Sequence, residues 1–426
     1  MERSDVRYQT YVQILKEELV PAMGCTEPIA LAYCAAKARE VLGAAPDRCE
    51  AAVSGNIVKN VKSVIVPNTG GLKGIAAAVA AGVVAGDAGR VLEVISSVPE
   101  GQKHRIREYM ERTEIQVSPM ETDEILDMVV TLHSGDSWSR VRIANYHTNI
   151  VLIEKDGEVL YQIGVKAEKA AEMADRSLLN MKDIDEFART ADLDDTREII
   201  DRQIAYNSAI SAEGLKNNWG ANIGSVLLKS FGTDVRTRAR AAAAAGSDAR
   251  MSGCELPVII NSGSGNQGIA ASLPVIEYAK ELGSSRDELH RALLLSNLIT
   301  IHQKTGIGRL SAYCGAVSAG CGAGCGVAFL LGGDYSCIAH TLVNALAIVS
   351  GIICDGAKPS CAGKIAAAVD GGILGYYMYI NGQQFWGGDG IISKGVENTI
   401  LNVGRLSRDG MRETDKEIIR IMTECR

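Results

Sequence analysis

Eleven cysteines stand in this 426-residue chain. Six of them are candidates for chemistry, standing among glycines or prolines where the backbone can turn a sulfur toward a common point. These are Cys25 in "PAMGCTEP", Cys314, Cys321 and Cys325 in "AYCGAVSAGCGAGCG", and Cys354 and Cys361 in "ICDGAKPSC". Thiolates in such settings act as nucleophiles or bases, or hold soft metals. Cys314, Cys354 and Cys361 are forty and seven residues apart. Zinc ribbons and fingers use C-x2–4-C knuckles and ferredoxin-type clusters use C-x2-C runs, and neither interval fits. Three widely spaced thiolates suit a [4Fe–4S] cluster with one iron left open. An open iron is a Lewis acid that takes a carboxylate and a leaving group together, which is elimination chemistry and not electron transfer.

The other candidates read more plainly. Cys34, Cys49, Cys254 and Cys337 have no partner at a useful spacing and behave as small apolar residues. Cys321 and Cys325 follow Cys314 on the same helical segment and read as bystanders, although an i, i+7 pair can approach one metal. His147 in "NYHTN" and His302 in "TIHQKTG" read as hydrogen-bonded core or surface histidines. Gly263, Gly265 and Gly268 stand in G-x-G-x-x-G register, but another helix follows where a βαβ unit is needed, which argues against a dinucleotide site. What remains there is a helix start able to receive an anion, or a close-packing loop.

Four separated motifs, "PAMGCTEPIALAYCAAKA", "NSGSGNQGIAASLPV", "AYCGAVSAGCG" and "ICDGAKPSC", together resemble the iron–sulfur serine dehydratase α-chain superfamily. Within it they are most similar to the L-cysteine desulfidase branch of UPF0597 type. The resemblance runs over essentially the whole chain. It implies a [4Fe–4S] cluster held by Cys314, Cys354 and Cys361, with Cys25 at the active site as base or exchangeable fourth ligand. The "CD…PC" element is short and places Ser360 between Pro359 and Cys361, a departure that favours the desulfidase branch. Asn68-Thr69-Gly70-Gly71, with Lys73 adding charge, resembles the loop that holds the substrate carboxylate in serine dehydratases; a plain capped helix explains it equally well. Cys425 stands where some members plug their own cluster, but on a charged helix an ordinary exposed thiol is the better reading. The implied activity is β-elimination from a small L-amino acid, L-cysteine to pyruvate, ammonia and sulfide, with Cys25 as base. L-Serine dehydration is the nearest alternative. A non-catalytic iron–sulfur or zinc protein is the alternative from another class. Glu27 reads as a first-turn carboxylate that complements the helix dipole.

The elements that must position these residues fall into two parts. Residues 1–204 read as a mixed α/β substrate-binding domain, and residues 205–426 as a mainly helical iron–sulfur domain, giving an α+β fold. Helical periodicity marks "YVQILKEELV", "PIALAYCAAKAREVLG" and "GGLKGIAAAVAAGVVAG". "RCEAAVSG", "VKSVIVPN" and "RVLEVIS" read as strands. A strand-rich lobe over about 89–164, with a hairpin turn at Lys155-Asp156-Gly157, is expected away from the cluster. Fifty-one acidic against 44 basic residues leave no electrostatic footprint for nucleic acid. "CIAHTLVNALAIVSGIIC" is too short and too polar to span a membrane, and the first residues are unlike a signal peptide. The expectation is a cytoplasmic protein with reduced thiols, a small-molecule substrate, no nucleic-acid or membrane partner, and self-association left open.

Overall fold

The computed structural model describes residues 1–165, 173–308 and 310–424, so the segment holding Cys425 lies outside the described residues. The first part opens with α1 (Val6–Glu18), whose N-terminus is capped by the Asp5 carboxylate, then β1 (Pro21–Met23) and α2 (Thr26–Leu42). Gly43, left-handed at φ 75°, ends α2 as its position after the apolar run requires. β2 (Arg48–Val53), α3 (Gly55–Val61), α4 (Gly74–Ala85) and α5 (Glu100–Arg112) lead to the strands β3 (Glu114–Pro119), β4 (Asp127–Ser134), β5 (Ser137–Ala144), β6 (Ile150–Lys155) and β7 (Glu158–Gln162). They form one mixed sheet in the order β3-β2-β4-β5-β6-β7, parallel between β2 and β3 and antiparallel elsewhere. Met128, Val130 and Leu132 of β4 and Val141 and Ile143 of β5 are buried at period two, and α2 packs on these two strands. The expected hairpin turn is present, with Asp156 and Gly157 both at positive φ.

Three local expectations change. "RVLEVIS" is not a strand; its first residues form a 3-10 turn (Ala88–Glu93) in which Val91 takes φ 51°. Its carbonyl at Ile95 is satisfied from a distance, by Asn68 Nδ2 at 2.8 Å, so it needs no ladder. "VKSVIVPN" begins as the end of α3 and reaches the extended state only long enough for one bridge, Ile65 to Lys73. The stretch 89–164 also contains α5, whose single buried residue, Ile106, leaves almost no apolar period to read.

From Met181 onward the described chain is helical apart from one short strand: α6 (Met181–Thr190), α7 (Arg197–Lys216), α8 (Ile223–Phe231), α9 (Val235–Met251), the short β8 (Pro257–Ile259), then α10 (Gly265–Leu282), α11 (Arg286–Ile307), α12 (Gly315–Leu330), α13 (Tyr335–Val349), α14 (Cys361–Ile380), α15 (Val396–Arg405) and α16 (Arg412–Glu424). The apolar "CIAHTLVNALAIV" run lies in α13, with Thr341 and Asn344 buried. Among the described residues no helix is long and apolar enough to cross a membrane. β1 pairs antiparallel with β8, Pro21 opposite Ile259, which sets the loop bearing Cys25 beside the start of α10. One hydrophobic cluster runs through both parts, from Tyr8 to Val403.

Candidate active site

Cys314 and Cys354, forty residues apart, are made neighbours by a short backbone ladder. Cys314 N–H donates to the Ile352 carbonyl at 3.1 Å, Cys354 N–H to the Ala312 carbonyl at 2.6 Å, and Tyr313 bridges Ile353. Their thiols are near enough to shift one another's acidity in opposite directions. The Cys314 thiol, hydrogen-bonded to Cys354 and buried, is pushed well up. Cys354 is lowered to about 6 by the hydrogen bond from Cys314 and, against burial, by the charges of Lys59 and Lys364. Cys354 is therefore the thiolate end of the pair. Cys361 opens α14 seven residues on, after the chain has turned through the Asp355–Ser360 loop. The Asp355 carboxylate pins that loop by pairing with Lys358 and Lys364.

The facing wall comes from the first part of the chain. Cys25 is the N-cap of α2 and donates its Sγ–H to Glu27 Oε2 at 3.0 Å. The Thr26 hydroxyl lies 3.1 Å from the same oxygen and 3.0 Å from the Gly263 carbonyl. Asn60 Nδ2 approaches Glu27 Oε1 at 3.4 Å. His147, on the loop between β5 and β6, brings Nε2 to 3.8 Å from that oxygen, an ion-pair distance beyond a direct hydrogen bond. Burial and the Glu27 carboxylate push the Cys25 thiol well up, with the Arg250 charge opposing. Burial also penalises a charged Glu27, but His147 and the Cys25 Sγ–H outweigh it and hold the carboxyl at about 2. Cys25 is thus a thiol resting on an ionised carboxylate.

Between the walls lies a cavity of about 90 Å3 lined by all four cysteines together with Glu27, His147, Lys59, Arg250, Gln267, Lys304 and Tyr313, among others. It holds a few water-sized groups, the scale of a small amino acid. Arg250 Nε, Gln267 Oε1, Tyr313 OH and His147 Nε2 are buried without a hydrogen-bond partner, and such groups are costly unless a ligand satisfies them. Arg250 lies across the start of α10, where a Cβ on Gly265 would come within 2.3 Å of its Nε; the glycine motif is there for close packing. Four helix starts face this space: Cys25 of α2, Ser264 of α10, Cys314 of α12 and Ser360 of α14. None is capped by its own side chain. At α14 the first N–H groups are taken by the Lys358 and Pro359 carbonyls, but the positive ends of the four helices, with Lys59, Arg250 and Lys304, make the interior suited to anions.

The structure therefore brings Cys25, Cys314, Cys354 and Cys361 together. None of Asn68, Thr69, Gly70, Gly71 or Lys73 is among the lining residues. Asn68 binds the Ile95 carbonyl, the Thr69 hydroxyl closes its own turn on the Val66 carbonyl at 2.6 Å, and Lys73 is the N-cap of α4. The loop packs behind the Cys25 segment, with Pro67 against Gly24. Cys321 and Cys325 are buried within α12 and do not line the cavity, and His302 hydrogen-bonds Glu397 at 2.8 Å. Single polar residues far apart in the chain, Lys59, Arg250 and Lys304, carry no spacing signal and were not legible; His147 was read as an ordinary hydrogen-bonded histidine, and Glu27 only as a helix-start carboxylate. His147 also means that the strand-rich part reaches the cavity.

Among the described residues no trio of His, Cys, Asp or Glu side chains closes around a single metal ion. The fit to a cluster lies in the chemistry of the donor set: three sulfurs on one wall, one of them a thiolate, surrounded by uncapped helix starts and cationic side chains. These suit an anionic, thiolate-held group.

The serine dehydratase alpha chain family model matches residues 102–420. The chain is 62% identical to a UPF0597 protein of Desulfitobacterium hafniense, over 99% of this chain and 98% of that one. It is 49% identical to a UPF0597 protein of Lachnoclostridium phytofermentans, over 97% and 99%. The chain belongs to the serine dehydratase α-chain family. For this iron–sulfur-associated family the matched span includes Cys314, Cys354, Cys361, His147 and Arg250. Cys25 precedes it.

Proposed function

We propose that this member of the serine dehydratase α-chain family is a cytoplasmic lyase that uses a [4Fe–4S] cluster for β-elimination from a small L-amino acid, with L-cysteine as substrate and pyruvate, ammonia and sulfide as products. The observation that carries the reading is the single cavity into which four distant cysteines, three cationic side chains and four unpartnered polar groups converge. Cys314, Cys354 and Cys361 would hold the cluster. When bound, it supplies a Lewis-acidic iron that stabilises the departing sulfide.

The chain's own residues account for the rest. Arg250 and Gln267, buried and incompletely paired, are placed to take the substrate carboxylate. Cys25 takes the Cα proton after passing its own Sγ–H to the Glu27 carboxylate that it contacts at 3.0 Å. His147, paired with Glu27 at 3.8 Å on the same wall, gives the runner-up base only by first releasing its own proton. Burial of the cavity keeps competing water out while the bond breaks. The aminoacrylate released hydrolyses without further help.

L-Serine is the alternative substrate; its hydroxide is a poorer leaving group and needs a proton donor as well as the iron. The deciding experiment is an anaerobic assay of the reconstituted protein with L-cysteine and L-serine side by side, scoring sulfide and pyruvate. Sulfide release from L-cysteine much faster than pyruvate formation from L-serine is expected; the reverse preference would make it a serine dehydratase. Iron with acid-labile sulfide but no turnover of either amino acid would leave a non-catalytic cluster protein, and zinc without sulfide a zinc protein.

A further inference from the structure

α16 packs on α3 and on the turn that precedes it. Its inward stripe, Thr414, Asp415, Ile418, Ile419 and Met422, follows the i, i+1, i+4, i+5, i+8 pattern of one helix face, and its outer face is charged. Ile419 sits over Gly55, where a Cβ would come to 3.0 Å from its Cδ1, and Lys62 Nζ donates to the Met422 carbonyl. At the centre, Asp415 Oδ1 accepts from Lys59 Nζ at 2.5 Å and Oδ2 from Asn56 Nδ2 at 2.9 Å.

Lys59 is where this contact meets the site. Its side chain is 1% exposed, and with Asn60 it lines the cavity. The Lys59 carbonyl lies under the loop between Cys354 and Cys361 so closely that a Cβ on Gly356 would come within 2.1 Å of it. α3 is thus a two-turn slab with α16 on one side and the thiol loop on the other. A buried ammonium needs a counter-charge, and removing one partner of such a pair leaves the other stranded. We infer that Asp415 is a positioning residue of this site: through Lys59 it latches α16 onto α3 and holds α3 against the Cys354–Cys361 loop. A helix attached through one face opens at far lower cost than the core, and release of α16 frees α3 to move off the thiol loop. The inference rests on the reading of Cys354 and Cys361 as site residues, and not on which substrate is used.

The test uses the full-length chain free of metal, under argon, with the rate of iodoacetamide alkylation at each cysteine read by peptide mass spectrometry. A parallel arm follows iron loss from reconstituted protein to a chelator. Asp415→Asn is expected to speed alkylation of Cys354 and Cys361 several-fold and to hasten iron loss. Cys34 and Cys321, fully buried elsewhere, should stay at the parental rate, and Asp415→Glu, which keeps the charge, should label like the parent. Unchanged labelling in Asp415→Asn overturns the inference, and so does an equal rise at Cys34 and Cys321, which would mean general loosening. The alkylation arm needs neither cofactor nor turnover, so its failure is separate from failure of the lyase reading.

Discussion

Glu27 and Asp248 are two buried carboxyls with opposite consequences. Glu27, held at about 2 against an ordinary 4.5, favours the folded state above the unfolded value, and that contribution is lost as pH falls from 4.5 toward 2. Glu27→Gln should therefore flatten acid unfolding in that window. Because Glu27 touches the Cys25 sulfur, it should also lower kcat. Cys25→Ala should cut turnover by roughly 100-fold or more while leaving most of the iron in place, checked by iron analysis beside the sulfide assay. Asp248, fully buried and raised by burial from 3.8 to about 6, binds its proton more tightly folded than unfolded. Its contribution to stability falls as pH rises through that interval. Its Oδ2 accepts from Gly224 N–H at the start of α8, a bond an Asn oxygen can keep, while Oδ1 has no partner. Asp248→Asn should gain on the order of 1–3 kcal/mol at pH 8 and only a few tenths at pH 4, read by urea unfolding at the two pH values.

At the scale of elements, the site depends on two helices meeting backbone to backbone. α12 and α14 begin at the ligand candidates Cys314 and Cys361, and they cross where a Cβ on Gly372 would lie 2.1 Å from the Gly320 carbonyl. No side chain can be fitted there without parting the helices. Gly372→Ala should cost at least the 1–3 kcal/mol typical of overpacking and, by spreading the two helix starts, lower iron content after reconstitution; unchanged iron content would show that the thiols are positioned locally. The helices themselves were legible, because periodicity and stop signals such as Gly43 are local. The errors fell on short apolar runs. "RVLEVIS" and "VKSVIVPN" have strand-like composition, yet they are held as turns by distant partners, Asn68 for the first and the α3 packing for the second.

On the scale of the molecule, segments around residues 25, 59, 147, 250, 314 and 354–361 supply one cavity. A group bound by several of them ties distant parts of the fold together, and its binding free energy adds to folding. Reconstituted protein should melt several degrees above the metal-free form under argon, and the difference should collapse in Cys354→Ser. An equal shift in Cys354→Ser would remove that residue from the ligand set.

The sequence by itself determined the α+β class, most helices and the hairpin at Asp156-Gly157, all of which follow from local pattern. It marked Cys25, Cys314, Cys354 and Cys361 as candidates, through spacing and a family resemblance. Only the tertiary structure decided which residues share the cavity. It placed Glu27 under the Cys25 sulfur, brought His147, Arg250 and Lys59 to the same space, and set the Asn68–Gly71 turn behind the wall. The physical reason is that a lone buried polar residue leaves no period or spacing in the chain. Its partner is chosen by packing across tens to hundreds of residues, where one close helix crossing decides which side chains meet.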